Sequence, residues 1–215
     1  DNGQSDALNK GFRKAKGDII GWLNSDDTYE PGAVSFAVNY LICHPETDII
    51  YSDVRIIDEN SQVLRISKAE PFSVKRLLES NMIKQPTVFM RRKVIDELAG
   101  VRKDLHYVMD RELWLRAGQI FRLEYIPGKI LANFRFCKGT KSKESAVIFH
   151  VEWSKVLKEY SGNELLDRKS RKMVIDAEKL AERSYYFSLM SKEAGDRNLP
   201  MVMKYMAMAI KSYPI

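Results

Sequence analysis

Gly17-Asp18-Ile19-Ile20-Gly21-Trp22-Leu23-Asn24-Ser25-Asp26-Asp27 is the stretch whose reading decides the fold. Its centre, Ile19 to Leu23, is a short apolar run of the kind that forms a buried strand of a parallel sheet. A helix feeds it. From Asp6 to Lys16, the residues Ala7, Leu8, Phe12 and Ala15 recur at spacings that share one face. Gly17-Asp18 breaks that helix, and four polar residues follow the strand at once. Open α/β sheets bind ligands beyond the carboxyl ends of their strands, which is where Asn24-Ser25-Asp26-Asp27 falls.

Downstream the alternation continues. Pro31-Gly32 opens a helix from Ala33 to Ile42, with the proline where its absent N–H costs nothing. Asp48 to Ile57 reads as a strand, Asp58 to Ser61 as a turn, and Val63 to Ile66 as a hairpin partner. Ser73 caps a short helix to Glu79. Thr87 to Met90 is β-prone, and a helix from Lys93 to Leu98 stops at Gly100. Asp110 to Ala117 opens another helix, with acid in its first turn, and strands at Arg122–Ile126 and Lys129–Phe136 flank a turn at Pro127-Gly128. After about Lys141 only helical patterns appear, at 146–160, 171–192 and 201–211. The expected architecture is an α/β domain over residues 1–142 followed by a helical segment over 143–215. Within the latter, residues 171–214 resemble one tetratricopeptide-type hairpin; a single copy cannot build a solenoid, so packing or homo-oligomerisation is the expected use.

Composition bounds the function. With 45% hydrophobic and 30% charged residues, the 215-residue chain is of the globular class, and no apolar run approaches the ~18 residues of a membrane span. Cys43 and Cys137 form no paired spacing, which points to a reducing, cytoplasmic compartment. A net charge of +6 suits either a solvated surface, an anionic substrate or peripheral contact with anionic lipid. Basic residues are dispersed and accompany no nucleic-acid-binding motif, so a nucleic-acid partner is not expected.

Asp26 and Asp27 carry the first chemical reading. Adjacent carboxylates repel and are costly in a cleft unless a cation neutralises them, and a hard divalent ion bridging to a diphosphate meets that need. A helix cap or an Asx turn explains the same pair. Asp110, at a helix start, is likewise either a base or a cap favoured by the helix dipole.

Order narrows these choices. Asp1-Asn2-Gly3 with the helix behind it, Gly17-Asp18, the strand and Asn24-Ser25-Asp26-Asp27 are followed by Tyr29-Glu30-Pro31-Gly32-Ala33, Gln85-Pro86-Thr87-Val88-Phe89-Met90-Arg91-Arg92, Gly100 and Met109-Asp110-Arg111-Glu112-Leu113-Trp114-Leu115-Arg116. This succession, over residues 1–142, resembles the inverting family 2 glycosyltransferases of the GT-A fold, a Rossmann-like, mostly parallel sheet.

The resemblance implies a nucleotide-diphosphate sugar as donor and a glycan or lipid-linked acceptor, in cell-surface polysaccharide synthesis. It also implies Mg²⁺ or Mn²⁺ held at Asp26 and Asp27, one of which also contacts the donor. Asp110 is the implied catalytic base, and Glu112 an acceptor contact or an exposed neighbour. Asp6 and Asn9 are expected on the nucleotide side of the cleft, Asn24 at the first position of the DxD-type motif, and Gln85 beside the acceptor pocket. Arg135 and Lys138 would hold diphosphate oxygens. Cys137 stands where relatives often place His, and a thiolate is a poor partner for Mg²⁺. His106, four residues before Asp110, is a candidate cleft residue, although a lone His is more often structural. The opening part of the family pattern is not found upstream of Asp1, so the chain alone is expected to bind nucleotide-sugar weakly. A degenerate GT-A-like scaffold and a sugar-nucleotide nucleotidyltransferase are the alternatives.

Overall fold

The computed structural model describes residues 1–137, 140–141, 146–162 and 168–212. The chain divides into two compact units, Asp1–Lys143 and Glu144–Ile215.

The first unit alternates helices and strands: α1 (Gln4–Lys14), β1 (Ile19–Gly21), β2 (Thr28–Tyr29), α2 (Ala33–Cys43), β3 (Ile49–Ile57), β4 (Val63–Ser67), α3 (Val74–Glu79), a 3-10 turn (Gln85–Thr87), β5 (Phe89–Arg91), α4 (Arg92–Leu98), α5 (Met109–Ala117) and β6 (Leu123–Arg135). The strands make one sheet in the order β1-β5-β3-β6-β2, with β4 beside β3. β3 and β6 run parallel. The β1–β5, β3–β5, β2–β6 and β3–β4 ladders are antiparallel, so the sheet is mixed and not mostly parallel as expected. The reason is that an apolar run reports burial on both faces, not strand direction. The 3-10 turn feeds β5 back between β1 and β3, against both.

A second difference concerns Pro127-Gly128. The two expected strands are one strand, β6, and both halves pair with β3; residues between Ile126 and Ile130 bulge out between Ser52 and Asp53. Gly128 takes a positive φ of 72°, open to glycine without a Cβ penalty. The bulge leaves the backbone N–H of Leu131 facing Ser52, whose hydroxyl accepts it at 3.2 Å.

α2 covers one face of the sheet. Ala33, Ala37 and Leu41 recur at helical spacing and pack with Ile50, Phe89 and Leu131. Trp114, Leu113 and Leu115 of α5 are buried, as are Leu77 and Leu78 of α3. Ser73 caps α3 by accepting from the N–H of Arg76.

α1 departs from its expected face. The buried residues are Ser5, Asp6, Asn9 and Phe12, while Ala7, Leu8 and Ala15 are only half-buried. Its polar stripe is buried because each group finds a partner there, as described below.

The second unit contains α6 (Ala146–Ser161), α7 (Arg168–Gly195) and α8 (Leu199–Ser212). Its buried residues are Trp153, Val156, Leu157, Val174, Ala177, Ala181 and Ala209. Among the described residues, no helix is long and apolar enough to cross a membrane. The last two residues of the hairpin expected over 171–214 lie outside the described residues.

Candidate functional site

The loop after β1 is fixed by its own first residue. Asn24 accepts at Oδ1 from the indole of Trp22 (3.1 Å) and the amide of Gln4 (3.2 Å), and its Nδ2 donates to Gln85 Oε1 at 3.0 Å. Gln85 returns a bond to the carbonyl of Trp22. An aspartate at position 24 could not donate to Gln85, so the amide is what ties this loop to the turn before β5. Gln85 is buried as a structural partner of the loop.

Asp27 is only 5% exposed. Its Oδ1 accepts the backbone N–H of Arg135 at 2.9 Å, and Asn24 Nδ2 stands 3.5 Å from Oδ2. Burial pushes the Asp27 carboxyl up to about 6, with Asp26 beside it adding to the rise and the Arg135 N–H opposing it. Asp26 is exposed. The guanidinium of Arg135 is committed to loop oxygens: the carbonyl of Asp26 (2.9 Å), the carbonyl of Asp58 and the hydroxyl of Ser61 (3.0 Å). It braces the Asp26–Asp27 loop against the β3–β4 turn, instead of standing open for a diphosphate. Lys138, expected to act with it, lies outside the described residues.

A divalent cation fits this end chemically. Both candidate ligands are hard oxygen donors, and a buried carboxylate with a raised pKa is relieved by a cation. Among the described residues no group of three or more His, Cys, Asp or Glu side chains gathers to hold a metal, so the candidate ligands among them are these two acids. Cys137, half-buried with a free thiol, adds no third ligand group.

Asp110 belongs to a second cluster. It is half-buried at the start of α5 and its Oδ2 accepts from Asn81 Nδ2 at 3.1 Å. Burial raises its pKa, against the bonds from the Arg111 N–H and Asn81. Arg111 donates to the carbonyl of Leu77 (2.8 Å), and burial pulls its own pKa down to about 9. A carboxylate whose pKa is raised toward the working range is a better proton acceptor. Two residues on, Glu112 is 1% exposed and forked by Arg116 through Nε (2.8 and 3.1 Å) and Nη2 (2.9 Å). Arg116 also holds the carbonyls of Leu98 and Gly100, so Glu112 is a structural anchor and not an acceptor contact.

Gln4 links the ends. It touches Asn24, accepts from Lys141 Nζ at 2.8 Å, and precedes Ser5, whose hydroxyl bonds the Leu105 carbonyl and stands 3.0 Å from Met109 Sδ. Lys141 also donates to the carbonyl of His106 (3.0 Å) and lies 5.1 Å from the Tyr107 ring centroid. The His106 side chain is exposed.

Asp6 and Asn9 are turned away from this frame. Asp6 pairs with Lys10 (3.0 Å) and Lys103 (3.3 Å), which with the N–H of Asn2 hold its carboxyl well below the usual range. Asn9 clamps Val101, donating to its carbonyl at 2.7 Å and accepting its N–H at 2.9 Å. Gly100 permits the clamp: a Cβ there would lie 2.2 Å from Asn9 Oδ1. An open cleft of about 560 Å³ is lined instead by Gln4, Ala7, Leu8 and Gly11 of α1 and by Ile19 to Asn24. Sequence reading missed Gln4, Asn81 and Lys141 because their partners are distant in the chain; only the fold brings them together.

Comparisons with known proteins agree with this geometry. The chain is 28% identical over 177 residues to an uncharacterized glycosyltransferase of Rickettsia felis, covering 76% of this chain and 29% of the relative. It is 25% identical over 117 residues to the O-antigen biosynthesis protein RfbC of Myxococcus xanthus, covering 53% and 9% respectively. The chain therefore spans less than a third of the length of these relatives. Among solved structures it resembles S. aureus TarS in complex with UDP-GlcNAc, with a TM-score of 0.64 and 13% identity over 99% of this chain and 62% of that one. It also resembles a Pyrobaculum calidifontis mannosyltransferase in complex with GDP-Man and Mn²⁺, with a TM-score of 0.54 and 13% identity, covering 99% and 56%. These likenesses establish the GT-A-like fold. The family described as Glycosyl transferase family 2 matches residues 1–99, from α1 through the Asp26–Asp27 loop to the end of α4, and over that stretch the chain is similar to those glycosyltransferases.

Proposed function

We propose that this chain carries the metal and base ends of an inverting glycosyltransferase that moves a sugar from a nucleotide-diphosphate donor to a glycan or lipid-linked acceptor. The observation that carries the reading is the pair of clusters: a buried acid at Asp27 beside Asp26, and a half-buried acid at Asp110, linked through Gln4 and the 81–85 segment. Support for the donor class comes from the nucleotide sugars bound by TarS and the mannosyltransferase. The O-antigen relative supports a role in cell-surface polysaccharide synthesis.

In this reading Asp110 accepts the proton of the acceptor hydroxyl as that oxygen attacks the anomeric carbon, opposite the diphosphate. The bond to the diphosphate breaks and its electron pair leaves with the nucleotide. Asp26 and Asp27 hold Mg²⁺ or Mn²⁺, which when bound offsets the charge on the departing diphosphate. Asn24, Gln85 and Arg135 keep those acids in place, and Lys138 supplies a cation to the diphosphate. Asp6 and Asn9 support the frame from behind, through Lys103 and Val101. The remaining partners proposed are the inner leaflet of the membrane, touched peripherally from the cytoplasm, and a second copy through the carboxy-terminal helices.

The test is transfer of labelled sugar from a panel of UDP- and GDP-sugars by the protein as it occurs. Asp110→Asn should lower kcat by about 10²- to 10⁴-fold, and Asp27→Ala should remove the response to Mn²⁺. Transfer that survives both changes would end the assignment.

A further inference from the structure

The chain leaves α3 at Ser80, whose extended backbone (φ −151°, ψ 147°) turns it out of the helix and into the segment 81–85. That segment sends an amide to each end of the site. Asn81 Nδ2 donates to Asp110 Oδ2 at 3.1 Å, and Gln85 Oε1 accepts from Asn24 at 3.0 Å.

The two amides are satisfied differently. Gln85 uses both ends, since its Nε2 donates to the Trp22 carbonyl. Asn81 uses one: its Oδ1 is buried and meets no hydrogen-bond partner among the described residues. Buried amides are ordinarily met at both ends, and an acceptor left unmet weakens a fold. Nor is Asn81 needed to join α5 to α3. Arg111 already donates to the Leu77 carbonyl at 2.8 Å, and Leu77 and Leu78 are buried. What the amide does that a leucine of similar size would not is donate to a carboxylate.

The charge acting on Asp110 from its own helix is Arg111. On α3, Arg76 is paired with Glu70 and Glu79, and Lys75 is exposed. α4 meets α5 farther along, where Arg116 holds the Leu98 carbonyl, and its Asp96 and Glu97 are exposed. From the α3 side Asp110 is therefore met by the neutral donor of Asn81, which opposes the effect of burial. A hydrogen bond to the charged form favours that form.

We propose that Asn81 is a positioning residue for the proton transfer: its amide fixes the Asp110 carboxylate by Oδ2 and keeps it ionised until it takes the proton of the acceptor hydroxyl. Calling Asp110 the base rests on the transferase reading; the coupling of Asn81 to Asp110 does not.

The test follows the Asp110 carboxyl by its carbon-13 resonance and, in the same protein, the pH dependence of kcat for sugar transfer. Asn81→Leu removes the donor and should raise the Asp110 pKa by about one unit. The acid limb of the kcat profile should move up by the same amount. The loss is then about tenfold below the limb and shrinks at high pH, with KM for the donor little changed. Asn81→Asp adds a like charge and should shift both further. In an Asp110→Asn background, Asn81→Leu should lower transfer no further. A titration unmoved by Asn81→Leu, an acid limb that stays in place, or an equal loss at every pH would each overturn the proposal. So would a loss in the Asp110→Asn background as large as in the parent. Should Asn81→Leu fail to fold, Asn81→Asp decides in its place, with an unmoved titration counting against. Failure of the base reading looks different: transfer survives Asp110→Asn although Asn81→Leu shifts the Asp110 titration, and the role falls with it.

Discussion

The two units of this chain bury different things. Among the described residues, the buried polar ones, from Ser5, Asp6 and Asn9 through Asp27, Asp48 and Asp53 to Gln85, Glu112 and Asn133, all lie in the unit 1–143. The unit 144–215 buries Trp, Val, Leu and Ala, and leaves Phe187, Leu199, Met203, Met206 and Ile210 exposed. A buried polar group is tolerated only where a partner with the right geometry meets it, so the first unit must be precise about placement. The second needs only apolar contact. Placement to that standard is what a transfer site requires, and the first unit is the one that holds Asp27 and Asp110.

The sharpest way to break this contrast is to orphan a buried charge. Glu112→Ala leaves the half-buried Arg116 guanidinium without its carboxylate, held only by the carbonyls of Leu98 and Gly100. A loss of about 3–5 kcal/mol is expected, measured by urea unfolding. A loss under 1 kcal/mol would mean the fork is not formed in solution. Asn9→Ala comes next. It strips the partners from both the N–H and the carbonyl of Val101, and about 2–3 kcal/mol should be lost.

Asp27→Asn should act in the opposite direction. Asparagine still offers an oxygen to the N–H of Arg135, but it cannot ionise. The Asp27 carboxyl sits at about 6 in the folded chain, above its unfolded value of 3.8, so the folded state holds the proton more tightly. Ionising it therefore costs folded-state stability as pH rises from about 4 through 6. In EDTA, Asp27→Asn should be about 1–2 kcal/mol more stable than the parent at pH 7.5, after allowance for solvent near the loop, and nearly equal to it at pH 4. Equal stability at both pH values would show that the carboxylate is not strained, and would weaken the case for a cation there.

How much of this could be read in the chain follows the same division. Start signals located α2 and α5, through Pro31-Gly32 and the acid in the first turn, and the apolar stretches gave β1 and β3, because helix starts and burial both write themselves into local pattern. Strand direction was not legible: Phe89 to Arg91 looks alike whether it runs with or against β1. Asp26–Asp27 and Asp110 were legible as an ordered set of motifs. Their partners were not, since Asn24 meets Gln85 across 61 positions and Arg135 meets Asp27 across 108. Glu112 was ambiguous for the reverse reason. Its partner Arg116 is only one turn away, but burial, which turns a surface pair into an anchor, is set by the whole fold.

The smallest effect tests the second half of the contrast. On α8, Leu199, Met203, Met206 and Ile210 recur at intervals of four, three and four, which puts them on one helical stripe. They are 71%, 71%, 52% and 50% exposed, whereas Ala209 on the same helix is 1% exposed. Because the stripe is already in solvent, Met203→Gln and Met206→Gln should each change stability by less than about 0.5 kcal/mol. A loss of 2 kcal/mol or more from either, growing with protein concentration, would mean that these side chains are covered by another copy in solution. In that case the second unit would owe part of its stability to contacts between chains, and the exposure of this stripe would be a property of the isolated chain alone.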